Sequence, residues 1–456
     1  MPNLPGITPP KPERSAFQLL RSTVRKGLQS GSVSNGLCAI LDQAVTSGGR
    51  FVSTILVGRA CGAEGLGLYA LGISIAMIAL AVQHSVITAP YTVFLHRLRE
   101  DKDQKSYAGS MLAVWLVLAV GIGLLLVTSA LARPLTNTLN SNASFFRVLS
   151  IGVPFLLLRE FARQLAFAKL KFKVALLIDT VAASLQTIGL VVLMTMDLLT
   201  PVTAWWAIIA AYGGTCGVWL LLNRTGFQVR LAQVPSDFRQ NWRLGRWDMA
   251  SNVMMNCQLY LVHWCLAWWV GVEATGEYAA CATVLLFANP IVMGLSNYLM
   301  PRVSRTLSTE GLATMNRFVR SAAITLVGAM IVFSVVAISL GPLLLQLLFQ
   351  LTPDATHRVV IAILAMNATV GALGVSAEWA LLAMERPQTN FYATSLGLAV
   401  TSVIAVTSVS RFGMIGASAG LLLGTVLSVS YIWTAYYVAS RQQIAATQLQ
   451  PSQSEA

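Results

Sequence analysis

No side chain from Met111 to Ala130 carries a charge, and none from Ser321 to Leu351 does. Apolar stretches of roughly 20 residues recur along the whole chain, and a helix of that length spans the hydrocarbon core of a bilayer. In lipid every backbone polar group has to find its partner within the protein, which leaves helices or closed barrels. These stretches are too long for barrel strands, so they are read as membrane-spanning helices. Composition agrees: hydrophobic residues fill 55% of 456 positions and charged residues 11%, against about 25% charged residues in a soluble domain. A chain this apolar would aggregate in water.

The pattern predicts about twelve spans. Six lie near 34–58, 67–95, 107–131, 146–168, 173–196 and 202–222, and six near 246–270, 276–299, 317–340, 356–383, 388–409 and 413–437. Gly341-Pro342 is expected to break an apolar run that continues to Leu351. The expected organisation is a tail (1–33), a six-helix lobe (34–222), a linker (223–244), a second six-helix lobe (245–438) and a C-terminal tail (439–456). The first tail is basic, proline-rich and unlike a cleavable signal peptide. It is expected to be partly disordered with a short interfacial helix near 15–29. The Gln-rich tail after Arg441 is expected to be disordered.

The net charge of +13 would suggest nucleic acid in a soluble protein. Here the positive-inside rule accounts for it. Lys11, Arg14, Arg21, Arg25 and Lys26 lie before span one, and Arg97, Arg99, Lys102 and Lys105 follow span two. Lys169, Lys171 and Lys173 follow span four, Arg224, Arg230, Arg239, Arg243 and Arg246 lie about the linker, and Arg302, Arg305, Arg317 and Arg320 follow span eight. All fall on one side. The opposite loops hold only Arg59, Arg133, Arg147, Arg358 and Arg411. Both termini are therefore expected in the cytoplasm, with the chain in the inner membrane. The basic linker reads first as a topology signal and second as a lipid- or partner-binding segment.

The chain also repeats itself. Gly62-Ala63-Glu64-Gly65-Leu66-Gly67-Leu68-Tyr69-Ala70 and Gly271-Val272-Glu273-Ala274-Thr275-Gly276-Glu277-Tyr278-Ala279 share one pattern, G-x-E-x-x-G-x-Y-A. Asp42, Thr46 and Arg50 are echoed by Asp248, Asn252 and Asn256, and Phe146-Arg147-Val148 by His357-Arg358-Val359. Two copies of an even-numbered helical unit keep the same orientation, which implies a pseudo-two-fold axis along the membrane normal. That is a transporter architecture, with the substrate site between the halves. The motif itself reads as structural: its glycines permit a tight turn, and Tyr69 and Tyr278 suit the membrane interface.

Charges within spans are costly, so they are expected to line a wet cavity. In span one Asn35, Asp42, Thr46, Gly49, Arg50 and Ser53 fall within an arc of roughly 100°. Asp248, Asn252, Asn256 and His263 form a comparable stripe in span seven, and both stripes are expected to face one central cavity. Span four carries Arg159, Glu160 and Arg163, and span ten Asn367 and Glu378. Plainer readings stand beside these. Asp42 and Arg50 could form a structural ion pair, and Asp248 could cap the helix or pair with Arg246. Arg159 and Arg163 could snorkel to the interface, and His263 could be a packing residue. Pro90, Pro154 and Pro290 lie within spans two, four and eight and predict kinks that a gating bundle could use.

No catalytic, cofactor or metal pattern emerges. Cys38, Cys61, Cys216, Cys257, Cys265 and Cys281 form no CxxC pair, and His84, His96, His263 and His357 share no ligand spacing. Gly62–Gly67 lacks the strand and lysine of a phosphate loop.

Span one with its Asp and following Arg, the run from Gly58 through Gly62 and Gly67 to Tyr69, and Pro90 late in span two together resemble one family. These are the polysaccharide-biosynthesis transporters, O-antigen-type lipid-linked oligosaccharide flippases of the multidrug/oligosaccharidyl-lipid/polysaccharide exporter superfamily. The resemblance implies an all-α membrane protein whose two pseudo-symmetric six-helix bundles form a V around a central cavity. It implies a polyprenyl-diphosphate-linked oligosaccharide as substrate, passed to polysaccharide polymerase or ligase machinery, with no enzymatic activity. Arg50, Arg159 and Arg163 would be its cationic groups. The second lobe departs from the pattern, offering Asn252, Asn256 and His263 instead of basic residues. Asp42, Asp248, His263 and Glu378 would serve coupling or ion pairing. An organic-cation antiporter of the same superfamily, which needs an acidic cavity, stays open through Asp42 and Glu378. So does a non-transporting scaffold or membrane enzyme of polysaccharide assembly. A major-facilitator transporter would need a glycine- and arginine-rich loop after span two, and Arg97–Lys105 is not one.

Overall fold

The structure is a computed structural model and describes residues 31–449 apart from 99, 132–142, 289–291, 293–301, 304, 308 and 387. The regular elements among these residues are all helical. Helix α1 (Gly31–Gln83) is broken at Gly62 and leads through a π turn (His84–Thr88) into α2 (Ala89–Leu95). There follow α3 (Asp101–Leu131), α4 (Ala143–Ala168), α5 (Phe172–Thr195) and α6 (Pro201–Leu222). The second half holds α7 (Val234–Trp269), α8 (Val272–Val284), α9 (Leu312–Phe349), α10 (Ala355–Ala383) and α11 (Gln388–Leu449), the last broken at Gly413.

Seven of the described helical runs are long and apolar enough to cross a membrane. Two of them, Leu37–Leu95 and Gln388–Gln443, are 59 and 56 residues long and hold two passes each. Charges within α4 and α7 hide these helices from hydropathy alone, and α8 leads toward residues outside the described set. The chain is an all-α, multi-pass membrane protein.

Three expectations are corrected. Helix α9 runs unbroken through Gly341-Pro342 to Phe349. Proline costs less here because neighbouring helices and local adjustment can satisfy the freed backbone groups in lipid; Gly341 lies against Ile361, where a Cβ would come within 2.9 Å. The tail after Arg441 continues α11 to Leu449, in keeping with the high helix propensity of Ala and Gln. Tyr69 and Tyr278 are 2% and 1% exposed, inside the protein and not at the membrane interface. The interfacial helix near 15–29, the loop over 132–142 and Pro290 lie outside the described residues.

The turns record the repeat. Backbone at positive φ occurs at Gly62 and Gly271, at Leu170 and Glu385, and at Asp197 and Gly413. Each pair marks the same interhelical turn in the two halves. Outside the bilayer, side chains cap the exposed helix ends. Thr200 and Thr203 form a capping box at the start of α6, and Asp354 and His357 form one at the start of α10.

In the first half α4 packs on α3, α5 and α6, while α1 packs on α5. In the second, α10 packs on α9 and α11, and α11 on α7. The halves meet chiefly where α1 crosses α8. A Cβ on Gly67 would lie 2.0 Å from the Val272 carbonyl oxygen, and one on Gly276 would lie 1.7 Å from that of Ala63. The contact is isologous: the spacing that separates Gly67 from Gly276 also separates Ala63 from Val272. A pseudo-two-fold axis therefore passes through the repeated motif. Its second glycine serves close backbone approach, the device small residues provide between membrane helices. Beside it Arg59 donates from Nε to Leu348 O (2.8 Å) and from its terminal nitrogen to Leu347 O, while Phe349 covers Gly58.

Candidate functional site

Span one faces its own lobe with most of its polar stripe. Asp42 is fully buried and accepts from Arg163 Nε at 2.9 Å and from its terminal nitrogen at 2.8 Å. Arg163 Nε is also 2.8 Å from Asp179 Oδ2, and another of its nitrogens reaches Glu160 at 3.0 Å. Arg159 binds Asp179 Oδ1 at 2.7 and 2.9 Å, donates to Thr46 at 3.1 Å, and lies over the Tyr212 ring. Thr46 donates to Asp179 Oδ2 at 3.0 Å. About two turns further along the helices, Gln186 donates to Ser53 and accepts from Tyr212, each at 2.7 Å.

This cluster ties α1, α4 and α5 into one unit. It holds three carboxylates against two guanidiniums, so Arg159 and Arg163 have no free charge to offer a ligand. Removing one member would leave a buried charge uncompensated, which is the expensive way to break an ion pair. The plainer pairing of Asp42 with Arg50 is not what forms: Asp42 points at α4. The snorkelling reading of Arg159 and Arg163 also fails, because both guanidiniums turn inward onto α1 and α5. Asp179 was not singled out from the sequence. The signal was available, since it is the single ionisable acid or base within the apolar run Val174–Met196.

Arg50 behaves differently. It is exposed, and among the described residues no carboxylate lies within ion-pair distance of it. Its side chain lines a cavity of about 270 Å³ between the halves. Thr54, Tyr69, Tyr260, His263, Tyr278, Thr283 and Asn367 supply the other polar groups, and the remaining wall is aliphatic. The cavity straddles the pseudo-axis. The spacing that relates Gly67 to Gly276 also relates Tyr69 to Tyr278, Thr54 to His263 and Arg50 to Leu259. The cationic position is thus filled in one half only, and the sequence echo of Arg50 with Asn256 is out of register with the folded repeat. A smaller crevice of about 40 Å³ leads from Arg50 toward Arg159, Glu160 and Gln186.

Span seven is divided in its use. Asp248 accepts from Ser85, Asn252 donates to Ser85 at 3.2 Å, and Asn256 donates to the Asn252 carbonyl at 2.8 Å. These three do not line the central cavity, and Asp248 is engaged by Ser85 in preference to Arg246. Only His263 reaches the cavity, packed between Tyr260 and Tyr278 at ring-centroid distances of 5.6 and 5.1 Å. The two polar stripes therefore do not share one cavity. Both helices are longer than the cavity, so each uses the other end of its stripe for interhelical contacts. Glu378 is half-buried in α10 beside Gly374 and apart from the cavity wall. Pro90 stands at the start of α2 after the π turn, and Pro154 lies inside α4.

The whole arrangement has known counterparts. An inward-facing multidrug-resistance MATE family transporter of the MOP superfamily superposes with a TM-score of 0.72 at 13% identity, covering 90% of this chain and 99% of that one. The outward-facing form of such a transporter gives 0.59 at 13% identity, over 91% and 95%. A MOP superfamily transporter from Pyrococcus furiosus, described as having a binding pocket of reversed polarity, gives 0.64 at 14%, over 90% and 95%. No curated protein matches the sequence. The chain shares the fold of these structures. The family model of polysaccharide biosynthesis proteins matches residues 32–307, and the chain belongs to that family.

Proposed function

We propose that the protein is an alternating-access flippase that moves a polyprenyl-diphosphate-linked oligosaccharide across the inner membrane, with both termini in the cytoplasm. The observation that carries this reading is Arg50, a guanidinium in the cavity between the halves with no ion-pair partner among the described residues. Arginine stays ionised and presents a fixed fork of donors that suits a diphosphate. Thr54, Asn367 and the tyrosines offer hydrogen bonds to a glycan, while the lipid tail stays in the bilayer. Arg159 and Arg163 are assigned to holding α1, α4 and α5 together and not to substrate. Family membership supports the substrate class, and the one-sided distribution of loop arginines and lysines supports the orientation. Transfer to polymerase or ligase machinery follows from the same reading.

An organic-cation antiporter would need a carboxylate in the cavity wall. Among the described residues the wall has none, and Asp42 is sealed beneath Arg163. In the proposed cycle the Gly67–Gly276 contact closes the external end and has to part for release.

Complementation of a flippase-deficient strain, with membrane levels measured in parallel, tests the reading. Arg50→Gln should accumulate normally and lose export by about tenfold or more, since a charge-assisted contact contributes about 1.5–3 kcal/mol. Arg50→Lys should fall between. An abundant Arg50→Gln protein that complements fully removes Arg50 as the substrate's anchor.

A further inference from the structure

Helix α7 has 36 residues, about 54 Å at 1.5 Å each, whereas the hydrocarbon core is about 30 Å thick. Its first turns therefore reach the membrane boundary at the linker end and beyond. There a groove of about 760 Å³ is lined by Phe94, Ser236, Arg239, Gln240, Arg243 and Leu244. It shares no lining residue with the central cavity.

A topology signal needs charge but no fixed geometry. This segment is fixed. Asn241, 1% exposed, accepts from Tyr107 at 2.7 Å and donates to the Val86 carbonyl at 3.3 Å. Gly245 lies so close to Ser85 that a Cβ would come within 1.9 Å of its carbonyl oxygen. With the Asn241 face clamped to the first half, Arg239 and Arg243 lie one turn apart on the opposite face of the helix. No described carboxylate pairs with either. Phe238 and Trp242 stack at 6.2 Å, each 39% exposed, an aromatic pair suited to the headgroup region.

We propose that this groove is a binding site for an acidic glycerophospholipid of the leaflet at the linker end. Arg239 and Arg243 hold the headgroup phosphate as a double fork. Phe94 and Leu244 receive the first methylenes of the acyl chains. The ligand is a resident lipid and not the transported one, because the groove does not open into the cavity lining. Its effect is on α7, the helix that packs on both α11 and α1.

The test is thermal unfolding of the purified full chain in neutral detergent, titrated with phosphatidylglycerol or phosphatidylcholine. Phosphatidylglycerol should raise the midpoint and phosphatidylcholine should not. The double variant Arg239→Gln/Arg243→Gln should need about tenfold more lipid for the same shift. Arg239→Lys/Arg243→Lys keeps the charge and should also respond more weakly, whereas Lys171→Gln/Lys173→Gln at the start of α5 should respond as the parent does. The proposal is overturned if the two lipids act alike, if the Lys pair matches the parent, or if the Lys171/Lys173 control weakens equally. It is also overturned if a polyprenyl diphosphate displaces phosphatidylglycerol from the groove, which would make it a loading site for substrate.

Discussion

At the scale of single residues, two arginines in span four and one in span one look alike in the sequence and differ in the structure. Arg159 and Arg163 are enclosed by carboxylates, whereas Arg50 faces a cavity with none. Arg163→Gln and Asp179→Asn are therefore expected to lower stability and membrane abundance. Each leaves a buried charge without its partner, at a cost of about 3–5 kcal/mol, and thermal unfolding with quantified expression checks this. Asp42→Asn combined with Arg163→Gln should recover part of the loss, because the pair is removed together. A large export defect in abundant, thermally normal Arg163→Gln protein would contradict the structural role. The charges themselves were legible in the sequence because ionised residues within apolar runs stand out. Their pairing was not, because Asp42 and Arg163 are brought together only by the packing of α1 on α4.

At the scale of elements, the repeated motif divides its glycines between two tasks. Gly62 and Gly271 adopt positive φ at the turns, and Gly67 and Gly276 let two backbones touch on the pseudo-axis. The first task was readable from sequence, since glycine before a helix restart is a turn signal. The second was not, because it involves a surface supplied by the other copy. Any side chain on Gly276 has to displace the Ala63 carbonyl, so Gly276→Val should hold the external end open. In a cysteine-free background, a cysteine at Ala70 in the cavity wall should become reactive to an impermeant reagent added outside. Arg59→Ala should act in the same direction and less strongly. Its bonds to the end of α9 are exposed, so their loss is worth about 1 kcal/mol, or roughly a fivefold population shift. Unchanged labelling in both variants would rule out this contact as the seal.

At the scale of the whole molecule, the halves do not contribute equal charge to the cavity between them. Duplication of an even-numbered unit sets parallel orientation, and the loop charges then set sidedness. Cysteines placed at Leu198, in the turn between α5 and α6, and at Gln240, on α7, should separate in intact cells. The impermeant reagent should label the first and spare the second. The reverse pattern would invert the membrane orientation and move both tails outside.

The sequence by itself determined that this chain is helical, crosses the membrane repeatedly and is built twice. Those properties depend on hydropathy over windows of about 20 residues and on local spacing, which a linear reading captures. Tertiary structure decided which polar groups are spent on holding helices together and which remain for a ligand. Asp179 neutralises arginines on another helix, Ser85 occupies Asp248 and Asn252 from the opposite half, and Arg50 meets no carboxylate among the described residues. Each outcome depends on what lies opposite a side chain in space. In a medium that offers few alternative partners, that neighbour fixes whether a charge is structural or available.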